Sequence, residues 1–511
     1  MKKIPKILLT VIATVVVLVL VAVAALAIAV YDGSDRTLPS VREADMGLNA
    51  FVHREAVKAL DGAAEKDDIS LLLNEYAMNE LLYAVASQVK IPMVETRGAY
   101  ATYGEDGALS LELPVRAAGI LPTRVTGTLK ATYTDSVLTL TVERASLGKF
   151  PCTSGIVRAL VLNGGNQKRF QAALTDAGIY GTLDLQSLSF FMTSAEIADT
   201  VAAQTKDDPN ALLYELLCDL CLNSPDLLEF SFGENRLYGV VLHADRLAYH
   251  PETDGELSYP LDLASAAEST RALYENGLTR ENVSPVFHYY ASGYRALNET
   301  EKAAVDALGL GENGMGVRTV SALTMAEVLT DQSAGLAASI LNRAVTLTVT
   351  ERQMNTIFAG LNVIGSGVAF CSDRKVAYLS LEAVDIALGD RELRVSVVLN
   401  VNGKRLCGHV STVCPDSDRM ALDAQITELR LGEKAMNAGR TALFLRYLDG
   451  VLDSQVWVSA DAQTSTLTLD LGAALEELSD FAVLLRLSSA TDMQCRRIGS
   501  QGQLQLLFRL F

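Results

Sequence analysis

The feature that most constrains this chain is that it repeats itself: the pattern that begins near residue 69 returns near residue 345. Ile69-Ser70-Leu71-Leu72-Leu73 alternates like a strand and runs into Asn74-Glu75-Tyr76-Ala77-Met78-Asn79-Glu80-Leu81-Leu82. Val345-Thr346-Leu347-Thr348-Val349 does the same and runs into Thr350-Glu351-Arg352-Gln353-Met354-Asn355-Thr356-Ile357-Phe358, so that Glu, Met and Asn coincide. In each copy the residue before the glutamate, Asn74 or Thr350, suits a helix N-cap whose side chain accepts an orphan backbone N–H. The glutamate itself suits the positive end of the helix dipole. Leu81, Leu82 and Val85, or Ile357, Phe358 and Leu361, follow at helical spacing as one apolar stripe.

Alternating strands come next in both copies. Leu109, Leu111, Leu113 and Val115 face away from Ser110 and Glu112. Val125, Leu129, Ala131 and Tyr133 oppose Thr126, Thr128, Lys130 and Thr132. After a turn at Thr134-Asp135-Ser136, Leu138, Leu140 and Val142 oppose Thr139, Thr141 and Glu143. This is an antiparallel meander, apolar on one face and rich in threonine on the other. In the second copy Leu393, Val395, Val397, Leu399 and Val401 alternate up to an Asn402-Gly403 hairpin signal, and Leu422, Ala424 and Ile426 carry the last strand. Each meander closes on a Leu-Gly pair, Leu147-Gly148 and Leu431-Gly432, with a helical segment after it, Ser154 to Leu162 and Ala435 to Tyr447. A trailing hairpin, 228–232 with 237–242, is expected to correspond to 456–458 with 467–469. The stretch from about 256 to 344 is helical, polar and punctuated by glycines, and predicts a connector or lid.

The N-terminus carries Lys2, Lys3 and Lys6, then a run without charge from Ile7 to Tyr31. About 25 such residues span a hydrocarbon core of roughly 30 Å with some tilt. The lysines before the run, against Asp32 and Asp35 after it, predict a cytoplasmic N-terminus and an extracytoplasmic body by the positive-inside rule. Ala25-Leu26-Ala27 also fits a signal-peptidase site, but the run exceeds the ordinary length of a cleaved signal, which favours a retained anchor. Both readings put the rest of the chain in one compartment. A formal net charge of −18 leaves no basic footprint for nucleic acid.

Motifs that carry chemistry are sparse. Cys218 and Cys221 form C-x-x-C inside an apolar helical stretch and read as small buried hydrophobes. An odd total of 7 cysteines at irregular spacing is no disulfide framework, although Cys407 and Cys414 could meet across neighbouring strands. Ser146-Leu147-Gly148-Lys149 is an S-x-x-K without the partner motifs of a penicillin-binding enzyme, and the second copy has Arg430-Leu431-Gly432-Glu433 there. The 5 histidines, His53, His243, His250, His288 and His409, lack metal-ligand spacing in the sequence. Glu476 and Glu477 read as a solvated helix face. These features predict a protein without catalytic residues, metal or cofactor.

An anchor, a strand entering a helix with an Asn in its first turns, and strands closing on Leu-Gly with a small helix after resemble the YpmS family of Gram-positive membrane-anchored extracytoplasmic proteins. Here the pattern occurs twice. The arrangement is also loosely similar to the tubular lipid-binding (TULIP-like) folds, a likeness of architecture alone. The chain is therefore expected to be α+β: an anchor over 1–31, a linker over 32–68, a first helix-plus-antiparallel-sheet module over 69–255, a connector over 256–344 and a second module over 345–511. The expected role is binding of a lipid or other apolar envelope ligand, with docking of an envelope protein as the rival. The expected ligand-facing residues are Leu82, Val85, Leu111, Leu129, Leu140, Phe358, Val397 and Leu399. For any one of them, packing against the module's own helix is the simpler account.

Overall fold

The computed structural model describes residues 47–510 apart from 87–93, 97–98, 105–106, 118–120, 149, 152–163, 177, 206–210, 313–315, 317–326, 328–343, 415–420, 453–457, 471–487 and 499–500. The apolar run 7–31, the helix expected at 154–162, Lys149, Trp457, Glu476 and Glu477 lie outside the described residues. Among the described residues no helix is long and apolar enough to cross a membrane. The chain is α+β, with helices packed on antiparallel sheets, and divides into two compact units. The first comprises Met1–Ala59 and Asp68–His243, the second Leu60–Asp67 and Ala244–Phe511.

The first unit contains helices α1 (Leu48–Leu60, all but its last residue), α2 (Glu75–Ala86), α3 (Gly164–Asp176), α4 (Ser194–Thr205) and α5 (Ala211–Leu222). Its strands are β1 (Asp68–Leu73), β2 (Val94–Thr96), β3 (Tyr100–Tyr103), β4 (Leu109–Ala117), β5 (Leu121–Thr134), β6 (Val137–Leu147), β7 (Phe150–Pro151), β8 (Thr182–Asp184), β9 (Ser189–Thr193), β10 (Leu228–Phe232) and β11 (Tyr238–His243). The main sheet runs β2-β4-β5-β6-β9-β8, with β3 beside β4 and β7 beside β6; a small sheet runs β1-β11-β10. Leu109 pairs with Leu129 and Leu113 with Val125, so the apolar positions of the alternating pattern do share a face. Met78, Leu81 and Leu82 of α2 close over that face in one cluster with Leu111, Leu113, Val125 and Leu129. Asp135 and Ser136 both take positive φ, the geometry of a tight hairpin turn whose twist matches its strands.

The second unit contains α6 (Pro251–Asp254), α7 (Leu263–Glu275), α8 (Val283–Ser292), α9 (Glu299–Asp306), α10 (Glu351–Ala359) and α11 (Ala438–Leu452). Its strands are β12 (Ala344–Thr350), β13 (Gly367–Ser372), β14 (Lys375–Leu388), β15 (Glu392–Val401), β16 (Lys404–Val413), β17 (Ala421–Leu431), β18 (Lys434–Ala435), β19 (Val458–Asp461), β20 (Thr466–Asp470), β21 (Ser488–Ile498) and β22 (Gln501–Leu510). The main sheet runs β13-β14-β15-β16-β17-β20-β19 with β18 beside β17, and the small sheet runs β12-β22-β21. Asn402 and Gly403 form the expected tight turn, both at positive φ. The segment expected as a connector packs on the sheet of this unit: Leu263, Ala266, Val283, Val286 and Phe287 form a core with Ala369, Cys371 and Tyr378.

The hairpin correspondence needs correcting. The hairpin that pairs with the leading strand is β10/β11 in the first unit and β21/β22 in the second, whereas β19/β20 extends the main sheet as β8/β9 does. Partnering, which a sequence pattern does not show, separates the two kinds of hairpin.

The Glu and Asn shared by the repeats have a common physical task. Asn79 Nδ2 donates to Ala101 O at 2.9 Å, its Oδ1 accepts from Ala101 N, and Glu75 Oε2 accepts from Tyr103 N at 3.0 Å. In the second unit Asn355 Nδ2 donates to Ile386 O at 3.0 Å, its Oδ1 accepts from Ile386 N, and Glu351 Oε2 accepts from Leu388 N at 2.8 Å. Strand β3 is a sheet edge, and 386–388 is the part of β14 that runs past the end of β13. A side-chain amide carries the same donor and acceptor as a peptide, so each Asn stands in for a missing strand and closes an edge that would otherwise stay open to pairing. The caps form as expected: Asn74 Oδ1 accepts from Ala77 N at 2.9 Å, and Thr350 makes a capping box with Gln353.

Candidate functional site

The expected ligand-facing residues divide by unit. Leu82, Leu111 and Leu129 are 2%, 2% and 5% exposed and pack on one another, which makes them core. Leu140 is half-buried against the cluster of Phe190, Met192 and Ile197. Val85 lies on α2, and its side chain is outside the described residues. In the second unit Phe358 and Val397 are half-buried, and Leu399 is 37% exposed. Leu399 pairs with Leu381 on one side and Leu406 on the other, and Val397 with Val384, so these residues form an apolar strip across β14, β15 and β16. Further along the same face, Ile386 and Val410 are sealed.

The opposite face of the same three strands carries a polar layer that is buried except at Arg405, whose side chain is 40% exposed. Ser396 pairs with His409, Val398 with Cys407 and Asn400 with Arg405, so all six side chains project to one side. A bulge in β14 between Leu381 and Ala383 brings Glu382, fully buried, into this layer. Arg405 Nη2 meets Glu382 Oε1 at 2.7 Å and Asn400 Nδ2 donates to Oε2 at 2.7 Å, so the buried carboxylate is charge-paired and hydrogen-bonded. Beside it, Ala383, Val398 and Cys407 pack with Tyr249 and Leu257 from the segment around α6.

From that segment Asp254 reaches His409. Asp254 Oδ1 lies 2.8 Å from His409 Nε2, and Ser396 Oγ lies 2.9 Å from His409 Nδ1. Cys407 Sγ stands 3.4 Å from the same Nε2. The second carboxylate oxygen of Asp254 accepts from His250 N at 2.7 Å, and Arg394 Nη2 donates to the Asp254 carbonyl at 3.1 Å. Burial is the largest influence on the Asp254 carboxyl and pushes its pKa up, but the His250 N–H, the His409 contact and Thr253 outweigh it and hold the group below the usual range. Burial, seconded by Asp254, pushes the Cys407 thiol up to about 12 against the opposing pull of Arg394 and Arg430. A thiol so held is no activated nucleophile.

Three ligating atoms, from Asp254, Cys407 and His409, thus lie within 4.8 Å of one another. Histidine spacing along the sequence missed them because the carboxylate arrives from 155 positions away. One signal was available: Cys407 and His409 are two apart on a strand, hence on one face. Cys407 and Cys414 do not face each other across strands; Cys407 lies within β16 and Cys414 just beyond the end of that same strand. The other tempting motifs are structural where they are described. Burial, helped by the neighbouring Cys221, pushes the Cys218 thiol up to about 12, and Ser146 exchanges a hydrogen bond with Thr126 on the neighbouring strand. His243 meets Asp68, and His288 meets Glu301. The chain matches no protein-family model, no curated protein and no solved structure.

Proposed function

We propose that the chain is a non-catalytic, membrane-anchored protein whose extracytoplasmic body is two copies of one helix-and-curved-sheet module, and that it binds a lipid or another apolar ligand of the cell envelope. The observation that carries the binding role is the partly open strip of Val397, Leu399, Leu381 and Leu406 on a sheet face that is sealed further along at Ile386 and Val410. Apolar surface left half-exposed beside a packed core suits an acyl chain. Support for two copies comes from the paired edge clamps of Glu75 with Asn79 and Glu351 with Asn355. The chain from residue 33 onward is expected to co-purify with lipid or to take up a fluorescent fatty acid, and Leu399→Asp to weaken uptake about tenfold. A parent that holds no lipid and takes up no probe ends this reading.

A second reading, a scaffold that docks another envelope protein, is favoured by the solid packing of Leu82, Leu111 and Leu129. In-cell crosslinking that recovers one protein partner from a lipid-free parent would establish it.

A further inference from the structure

We propose that Asp254 Oδ1, Cys407 Sγ and His409 Nε2 are the ligands of a divalent transition-metal ion of the zinc class, held beneath the segment around α6. Their convergence on one point is the reason. In a nucleophilic relay the nucleophile and the carboxylate sit on opposite ring nitrogens of the histidine. Here the carboxylate meets Nε2 at 2.8 Å and the thiol lies beside the ring nearer to the same nitrogen, 3.4 Å from Nε2 against 4.0 Å from Nδ1, while Nδ1 is engaged by Ser396. Bonds of about 2.0–2.3 Å in a tetrahedral site set ligand atoms roughly 3.3–3.7 Å apart, and the separations of 2.8 and 3.4 Å from Nε2 lie near that spacing, with all three atoms within 4.8 Å of one another.

The surroundings are those of a ligand set. A metal-bound histidine ordinarily donates its other ring N–H to an oxygen, and Ser396 Oγ is placed to accept from Nδ1. The free oxygen of Asp254 is fixed by His250 N, so the ligating oxygen has a set direction. Ser396 and His409 are 5% exposed and Cys407 1%, so the geometry is held by packing. Thiolate, imidazole and carboxylate together select a zinc-like ion over magnesium or calcium. On binding, the Cys407 thiol gives its proton to solvent, and thiolate plus carboxylate balance the two positive charges of the ion. His409 passes from donating at Nε2 to donating at Nδ1, which the Ser396 hydroxyl allows because it both donates and accepts. The Asp254 side chain, 12% exposed, marks where a water completes the fourth position.

The test uses the untagged full chain, stripped of metal and titrated with Co2+. One equivalent should bind with a thiolate-to-cobalt charge-transfer band and tetrahedral d–d bands, and Zn2+ should displace it. Cys407→Ser should abolish the charge-transfer band, and Ser396→Ala, which alters no ligand, should weaken binding about tenfold to a hundredfold while leaving the band's position. Because Cys407→Ser can disturb a buried layer, the parent decides alone: absence of a thiolate band at one equivalent overturns the proposal. So does a band that persists unchanged in a folded Cys407→Ser variant.

Discussion

The two main sheets begin from the same alternation and end in different environments. In the first, the apolar face is closed by α2, and the other face carries hydroxyl pairs such as Ser110 with Thr128 and Thr126 with Ser146, plus the ion pair of Arg124 with Glu112 at 2.7 Å. In the second, the helices expected as a connector cover the β13 and β14 end of the polar face, and the segment around α6, expected in the first module, covers the rest; Ser396, Asn400, His409 and Glu382 are buried. A polar face that stays near water needs no partners. One that is buried must satisfy every donor and acceptor, and the dense network of the second sheet is the result. A single covering layer thus converts a strand face that would lie near water into a candidate site.

The largest effect should separate the two helices that the repeat equates. Leu82→Asp would put an unpaired carboxylate among Leu111, Leu113 and Val125 and cost roughly 4 kcal/mol or more. Phe358→Asp, at a half-buried position, should cost about 1–2 kcal/mol. Denaturant titration of both variants measures the gap. Equal losses would mean that α10 is sealed as tightly as α2, and the contrast between the units would fail.

Next comes the buried polar layer of the second sheet. Arg405→Ala would leave Glu382, which has no access to solvent, with Asn400 as its remaining hydrogen-bonding neighbour, and should cost about 3 kcal/mol. Adding Glu382→Gln should restore most of that loss, because the penalty is the stranded charge. If Arg405→Ala melts like the parent, the layer is wetter than its packing indicates.

What could be read from the chain beforehand follows the range of the interactions. Strands such as β5 and β15, the hairpin at Asn402-Gly403 and the caps at Asn74 and Thr350 depend on neighbours a few residues away, and each was legible. The buried face was legible in β4 and β5, where Leu111, Leu113, Val125 and Leu129 form the core, and only in part in β15. There Leu393 and Val401 are buried as the alternation implies, yet Leu399 is 37% exposed and Ser396 and Asn400 on the polar side are buried too. Covering segments decide that, and Asp254 comes to His409 from far along the chain. The shared Glu and Asn were visible as a coincidence, but their role in closing a sheet edge needed strand partners that only the fold supplies.

The edge clamps offer the test in which the units should agree. Asn79→Ala and Asn355→Ala each strip a partner from one backbone N–H and one C=O, and each should cost about 2–3 kcal/mol. Aspartate at either place keeps the acceptor and loses the donor, so it should recover part of the loss. A large loss at one position and none at the other, measured by thermal unfolding, would break the equivalence of the two helices.

The smallest effect is a pH dependence confined to the helices that cover the second sheet. Glu301 accepts from Asn298 N at 3.0 Å in a capping box and lies 3.1 Å from His288 Nδ1. Burial is the strongest influence and pushes the Glu301 carboxyl up, but the His288 hydrogen bond, the Asn298 N–H and the His288 charge together exceed it and bring the group below its ordinary value. A carboxyl with a depressed folded pKa binds its proton less tightly in the native state than in the unfolded one. Its stabilisation is therefore complete above the unfolded value of about 4.3 and fades as the pH falls through the lower, folded value. Glu301→Gln should lower stability at neutral pH by on the order of 1 kcal/mol, the scale of a helix cap. As denaturant midpoints are followed downward from pH 6, the gap between parent and variant should stay level to about pH 5 and then narrow toward about pH 3. A gap that stays constant over that range would show that Glu301 acts through shape alone, and its charge would then have no part in holding α9 against α8.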